Sequence, residues 1–159
     1  MIYYFDNIYR FLSNFYEVPV TYNGITYQNN EAAFQAQKGD KKFQLELSNL
    51  PPNVAKKKGR NVKIVGGIQN WDKNKDRIMY EICKAKFSNP EMRKKLLATH
   101  PHILEEGNTW HDNYWGICHC EKCEKNDEGL NHLGQILQRI REEFVAEEIM
   151  AANGLKPRE

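Results

Sequence analysis

The chain has almost no surplus of charge: 23 Lys and Arg stand against 21 Asp and Glu, a net of +2 at pH 7. So small an excess argues against a protein that coats long stretches of nucleic acid. A small anionic ligand, or brief contact with a nucleic-acid end, stays compatible. Long apolar runs are missing as well; none approaches the roughly 20 residues that span a bilayer. The opening Met1-Ile2-Tyr3-Tyr4-Phe5-Asp6 is too short and too soon charged to read as a signal peptide, so a cytoplasmic protein is expected. Internal repeats and low-complexity blocks are absent. Cysteine is scarce, with four in 159 residues, and three of them crowd into Cys118-His119-Cys120-Glu121-Lys122-Cys123. No second C-x-x-C pair accompanies that run, and Cys118-x-Cys120 is tight for one tetrahedral site. Zinc held by Cys118, Cys120 and Cys123, with His119, His111 or His132 as fourth ligand, is therefore the lesser reading. Reduced thiols without a metal are the expected state.

What is present is the composition of a folded protein: 40% hydrophobic, 28% charged, with Tyr 8, Phe 7 and Trp 3. At this length one domain is the default. It is expected over residues 1–150, with 151–159 a mobile tail. The stretch around which the rest is organised is Asn30-Glu31-Ala32-Ala33-Phe34-Gln35-Ala36-Gln37-Lys38. Asn29 or Asn30 can cap a short helix there, Glu31 suits the positive end of its dipole, and Gly39 stops it. Glu31, Phe34, Gln35 and Lys38 fall at i, i+3, i+4 and i+7 and share one face. Two turns, about 10 Å, separate Glu31 from Lys38, so their side chains can flank a sugar-sized ligand.

Upstream, Ser13 and Asn14 sit between hydrophobic neighbours, where they either face a pocket or bond the backbone of a buried turn. Asn23-Gly24 between Val18–Tyr22 and Ile25–Tyr27 is the strongest hairpin signal in the chain. Pro51-Pro52-Asn53 opens a helix that runs into Lys56-Lys57-Lys58-Gly59-Arg60. Most of these lysines read as a solvated face, but Arg60 precedes the strand-like Val62–Val65 and can fork onto a phosphate. A helix is expected over Trp71–Phe87, with Asp72 supporting its start and Lys75 one turn from Trp71. Pro90 begins another, through Leu97. Ile103–Glu106 reads as a strand, and it leads into the dense aromatic and polar loop Gly107–Gly116. Leu130, Leu133, Leu137, Ile140 and Phe144 make the core stripe of a last long helix.

Several of these pieces together resemble the NADAR (YbiA-like) family, from Phe11 to about Glu143. They are Leu12-Ser13-Asn14-Phe15-Tyr16; Tyr27 followed by Glu31 to Lys38 as E-x-x-[FY]-Q-A-x-K; Gly59-Arg60-x-Val62; and Trp71-Asp72-x-x-Lys75-x-x-x-Met79. After these come Ala85-Lys86-Phe87 with Glu91, Leu96-Leu97-Ala98-Thr99, Asp112-x-x-Trp115-Gly116, and Gly129-x-Asn131-x-Leu133-Gly134-x-x-Leu137. The chain departs from the family pattern at Ala32, where many members have His, and in the Cys118–Cys123 insertion. The resemblance implies a compact single α+β domain, mainly helical with a short β-hairpin or small sheet. It implies an N-glycosidase related to NAD and ADP-ribose metabolism, with no cofactor. The substrate so implied is ADP-ribose on guanine in nucleic acid, with transient contact to the modified DNA and an antitoxin-like pairing with a DNA ADP-ribosyltransferase. The alternative is clearance of phosphoribosyl-aminopyrimidine intermediates of riboflavin synthesis. A further alternative is a module that binds ADP-ribose or NAD without cutting it.

Cleavage of a C–N glycoside passes through an electron-poor C1, so it needs carboxylates and a proton for the leaving base. Glu31 and Asp112 are the candidates. A neutral Lys38 can form a Schiff base with the C1 of an opened ribose, provided burial or the cations Arg60 and Lys75 depress its pKa. The expected catalytic set is therefore Glu31, Lys38 and Asp112. Substrate contacts are expected from Ser13, Asn14, Phe15, Gln35, Arg60, Trp71, Lys75, Trp115 and Asn131: the tryptophans to stack, Arg60 and Lys75 on phosphate, Ser13, Asn14 and Asn131 on sugar or phosphate oxygens.

Overall fold

A computed structural model describes residues 1–126 and 128–155 of the chain. It is α+β: seven α-helices and two separate two-stranded sheets among the described residues. A 3₁₀ segment, Asn7–Leu12, leads to the hairpin of β1 (Val20–Tyr22) and β2 (Ile25–Tyr27), paired with Thr21 opposite Thr26. Its turn places Asn23 at φ 49° and Gly24 at φ 82°, both left-handed, as a two-residue hairpin of right-handed twist requires.

The hairpin delivers the chain into α1 (Asn30–Ala36), every residue of which is buried. The Asn29 side chain accepts the Ala32 N–H at 2.7 Å, closing the first turn. Ala32, Ala33 and Ala36 are fully covered, so their small side chains let neighbours approach on all sides. Those neighbours are α2 (Lys41–Leu47), α3 (Pro52–Asn61), α4 (Gly67–Phe87) and the hairpin. The regular helix stops at Ala36. Lys38 follows in a tighter turn, its N–H on the Gln35 carbonyl at 3.1 Å.

The two long helices, α4 and α7 (His132–Ala152), pack along each other, with α5 (Pro90–Leu97) beside them. Met79, Ile82, Cys83 and Phe87 on α4 and Leu133, Leu137, Ile140 and Phe144 on α7 belong to a single buried core. The Arg93 guanidinium of α5 donates to Glu147 at 2.8 Å and to Glu148 at 3.0 Å across the top. The smaller sheet pairs β3 (Gly107–Asn108) in parallel with β4 (Ile117–Cys118), followed by α6 (Glu121–Asn126). No helix among the described residues is long and apolar enough to cross a membrane.

Four expectations change. Helix α4 begins at Gly67 rather than Trp71; its cap, Gly66 at φ 86°, carries no side-chain signal, and Asp72 sits in the second turn. Val62–Val65 is not a strand, because it meets no sheet edge; Val65 donates a single bond to the Lys38 carbonyl at 2.9 Å. Ile103–Glu106 forms one bridge only, Leu104 with Ile2. The tail expected from residue 151 starts inside α7, which holds Ala151 and Ala152; residues 156–159 lie outside the described residues.

Candidate active site

Helix α1, its following turn, α3, the N-terminal half of α4 and the loop after residue 105 enclose a cleft of about 770 Å³. Each element contributes by its own spacing. Helix α1 presents Glu31 and Gln35 one turn apart, and the tight turn carries Lys38 onto the same wall. Lys56 and Arg60 are one turn apart on α3, and Trp71, Lys75 and Met79 are successive turns of α4. Glu106, Asp112 and Trp115 come from the loop, and Ser13, Asn14 and Phe15 from the segment after the 3₁₀ turn.

The cleft holds both signs of charge: Lys38, Lys56, Arg60 and Lys75 with Arg10 supply cations, and Glu31, Glu106 and Asp112 with Asp6 supply carboxylates. Glu31 is nearly covered and accepts the Gln35 amide N–H at 2.9 Å. Burial raises its pKa, against the pull of that bond and of Lys56 and Lys38. The Lys38 ammonium donates to the Gly59 carbonyl at 3.3 Å and lies 5.6 Å from the centre of the Trp71 ring. Burial lowers its pKa, and Lys75 and Arg60 push the same way while Glu31 opposes them. Asp112 is held by its own loop: its Oδ1 accepts the N–H groups of Tyr114 at 3.2 Å and Trp115 at 3.0 Å.

Two residues that line the cleft, and one that holds its loop, are not among the candidates read from the sequence. Glu106 brings a carboxyl whose Oε2 is buried without a partner; burial, then Asp112 and Glu31, push its pKa up to about 8. Lys56, one of the charged run expected to be solvated, faces the cleft with its ammonium 5.6 Å from the Phe15 ring centre and 5.9 Å from that of Trp110. Asn108 knots the loop by accepting from Trp110 and Asp112 N–H groups at 3.2 and 3.1 Å and donating to the Asp112 carbonyl at 2.8 Å.

The expected ligand contacts divide. Gln35, Phe15, Arg60, Trp71, Lys75 and Trp115 line the cleft. Lys75 is tied to Asp72 at 3.1 Å and lies 3.9 Å from the Tyr114 ring centre. Trp71 is only 7% exposed, packed on Phe34 at 5.0 Å, whereas Trp110 at the rim is 61% exposed; the ring with a free face is Trp110. Ser13 and Asn14 border the cleft with their side chains committed inward. Ser13 Oγ accepts the Phe15 N–H at 3.0 Å, and Asn14 contacts Asn30 at 3.2 Å and Met79 at 3.4 Å. Asn131 does not line the cleft. Its left-handed backbone caps α7, and its amide accepts from Glu106 N at 3.0 Å and donates to the Leu104 carbonyl at 2.9 Å. It supports Glu106 from behind.

His111, which also lines the cleft, and Cys118, Cys120 and Cys123 bring one ligand atom each to within 4.8 Å of one another. The other two candidate histidines point elsewhere: His119 contacts Glu105 and Glu124, and His132 stacks against Tyr114.

The NADAR domain model matches residues 3–145. N-glycosidase YbiA of Shigella boydii is 37% identical over 138 residues, covering 85% of this chain and 81% of that protein. The chloroplastic riboflavin biosynthesis protein PYRR of Arabidopsis thaliana is 34% identical over 84 residues, 52% of this chain and 13% of that one. The NMR structure of E. coli YbiA superposes with a TM-score of 0.76 at 34% identity, covering 93% of this chain and 85% of that one. The chain thus belongs to the NADAR family, and with it to the hydrolases that act on N-glycosyl bonds.

Proposed function

We propose that this protein removes ADP-ribose from modified guanine in nucleic acid, reversing DNA ADP-ribosylation, with Lys38 as a covalent nucleophile. The observation that carries the reading is Lys38 itself: a lysine drawn toward its neutral amine by burial and by Lys75 and Arg60, on the same cleft wall as Glu31. A module that only binds has no need of such an amine. Lys56, Arg60 and Lys75 suit a diphosphate, and the exposed Trp110 offers a face for a base.

In the reaction so drawn, protonated Glu106 donates to the ribose ring oxygen as the C1–O4′ bond breaks and the base nitrogen's lone pair makes an iminium at C1. Neutral Lys38 adds to that carbon. Its proton passes through Glu31 to the base nitrogen, and the C–N bond breaks to leave a Lys38 imine. Water oriented by Asp112 adds to the imine; its proton restores Glu106, the amine departs, and the aldehyde closes through its O4′ hydroxyl to free ADP-ribose. The products are the base and ADP-ribose, with one water consumed.

A second reading is favoured by the similarity to the riboflavin biosynthesis protein: the same chemistry on a phosphoribosyl-aminopyrimidine. Borohydride trapping separates the two. ADP-ribosylated guanine in a short DNA and a ribosylated aminopyrimidine phosphate are each incubated with wild type and with Lys38→Arg, with and without borohydride. Release of ADP-ribose from DNA, with a reduced adduct mapped by mass to Lys38, is the expected result. Cleavage of the pyrimidine alone moves the substrate to the second reading. Normal turnover by Lys38→Arg eliminates the covalent step, and binding of ADP-ribose without any cleavage leaves a binding module.

A further inference from the structure

The insertion that departs from the family pattern, Cys118–Cys123, meets His111 of the Asp112 loop at the edge of the cleft. We propose that His111, Cys118, Cys120 and Cys123 hold one zinc ion in a closed structural site that fixes the Asp112 loop. This goes beyond the proposed reaction and does not depend on it.

The histidine-to-sulfur distances are those of a tetrahedral site. With zinc–sulfur bonds of about 2.3 Å and a zinc–nitrogen bond of about 2.0 Å, a tetrahedral nitrogen–sulfur edge is about 3.5 Å. His111 Nδ1 lies 3.3 Å from Cys123 Sγ, 3.4 Å from Cys120 Sγ and 3.8 Å from Cys118 Sγ. All four ligand atoms fall within 4.8 Å of one another, and the three thiols are free. The tight Cys118-x-Cys120 spacing is resolved by the backbone, since Cys118 ends β4 and Cys120 immediately precedes α6. His111 reaches the group from a left-handed backbone, φ 68°, an uncommon conformation for a residue other than glycine.

The surroundings support thiolate ligands. The Cys123 N–H donates to Cys120 Sγ at 3.4 Å, and the Asn113 amide donates to Cys123 Sγ at 3.4 Å while its oxygen accepts from Cys118 N at 3.0 Å. Such outer bonds orient first ligands and hold charge on sulfur. Three thiolates and one imidazole select zinc among the common divalent ions, and four protein ligands leave no open position for substrate or water. The role is therefore mechanical. His111 is the residue before Asp112, and the metal ties it to β4 and α6, giving the Asp112 loop a second anchor besides Asn108.

The test is metal content and spectroscopy of the full chain, purified under reducing conditions without chelator. About one zinc per chain is expected, and cobalt loaded into the apoprotein should show thiolate-to-metal charge transfer with the strong visible bands of a tetrahedral ion. Cys120→Ser and His111→Asn should lose stoichiometric zinc, and Asn113→Ala should weaken binding by about 10- to 100-fold. His119→Asn should still carry one equivalent. The cobalt spectrum needs no variant, so a misfolded mutant does not decide the outcome. Apoprotein that gives no charge-transfer band, a disulfide among Cys118, Cys120 and Cys123 under reducing conditions, or full zinc retention by both ligand variants would overturn the site.

Discussion

Glu106→Gln tests whether the cleft stores a proton at neutral pH, and it needs no substrate. The backbone at this position is fixed independently of the carboxyl, by Glu106 N on Asn131 Oδ1 at 3.0 Å and by Ile117 N on the Glu106 carbonyl at 2.8 Å. Glutamine therefore changes little besides the ability to ionise. The folded carboxyl is pushed from 4.5 up to about 8, so between those values the folded chain keeps a proton that the unfolded chain has released. Stability contributed by the group is complete below pH 4.5 and declines as pH rises through 8. At about 1.4 kcal/mol per pH unit, the loss is on the order of 5 kcal/mol across the window and about 2–3 kcal/mol between pH 5 and 7. Glutamine resembles the protonated acid at every pH. Urea denaturation of both proteins at pH 5, 6, 7 and 8 should thus show the variant gaining on wild type by about 2–3 kcal/mol from pH 5 to 7. The gain should come with reduced turnover, since an amide cannot protonate the ring oxygen; the fall should be on the order of 100- to 10,000-fold. A difference between the two proteins that stays constant with pH would falsify the stored proton and the acid role built on it.

Lys86 titrates in the opposite sense. It is 1% exposed, its ammonium donates to the Ser13 carbonyl at 2.9 Å, and burial lowers its pKa from 10.5 to about 7. Its contribution is present above pH 10.5 and lost as pH falls toward 7, so Lys86→Met should remove about 2 kcal/mol of the stability that wild type gains from pH 7 to 9; equal slopes by denaturant titration would contradict this. At Gly59, inside α3, an added Cβ would stand 2.0 Å from Gln35 Oε1 and 3.0 Å from Gln35 Cβ. Gly59→Ala should therefore expel the amide that bonds Glu31 and cost about 1–3 kcal/mol despite the better helix propensity of alanine. A variant as stable and as active as wild type would show that Gln35 has room to move.

The elements whose signals are local were readable in the chain. Asn23-Gly24 specifies the hairpin, the Asn29-Asn30 pair the start of α1, with Asn29 the cap, and Pro90 the start of α5; Leu133, Leu137, Ile140 and Phe144 mark the buried face of α7, while Leu130 stands exposed before it, because turn conformation, capping and periodicity involve residues within a few positions of one another. Helix α4 was misjudged at its start, since Gly66 caps it through backbone conformation and leaves no polar side chain to read. Glu31, Lys38 and Asp112 are candidates through motif resemblance together with the chemistry that a C–N bond demands, and all three line the cleft.

Glu106 and Lys56 look ordinary beside their sequence neighbours and acquire their surroundings from segments tens of residues away, whereas the bonds of Asn108 to Trp110 and Asp112 are local to its own loop. Asn131 shows the converse: a polar residue in a family motif, and so a plausible ligand contact, whose bonds the fold directs to Leu104 and Glu106. Most helices and the hairpin are thus legible in the chain because they rest on short-range spacing, and the family is legible from the order of its motifs along the chain. Which carboxyl is buried beside two others, which lysine of a charged run turns inward, and which of three histidines meets the cysteines emerge from the folded chain, because burial and mutual charge exist only once distant segments meet.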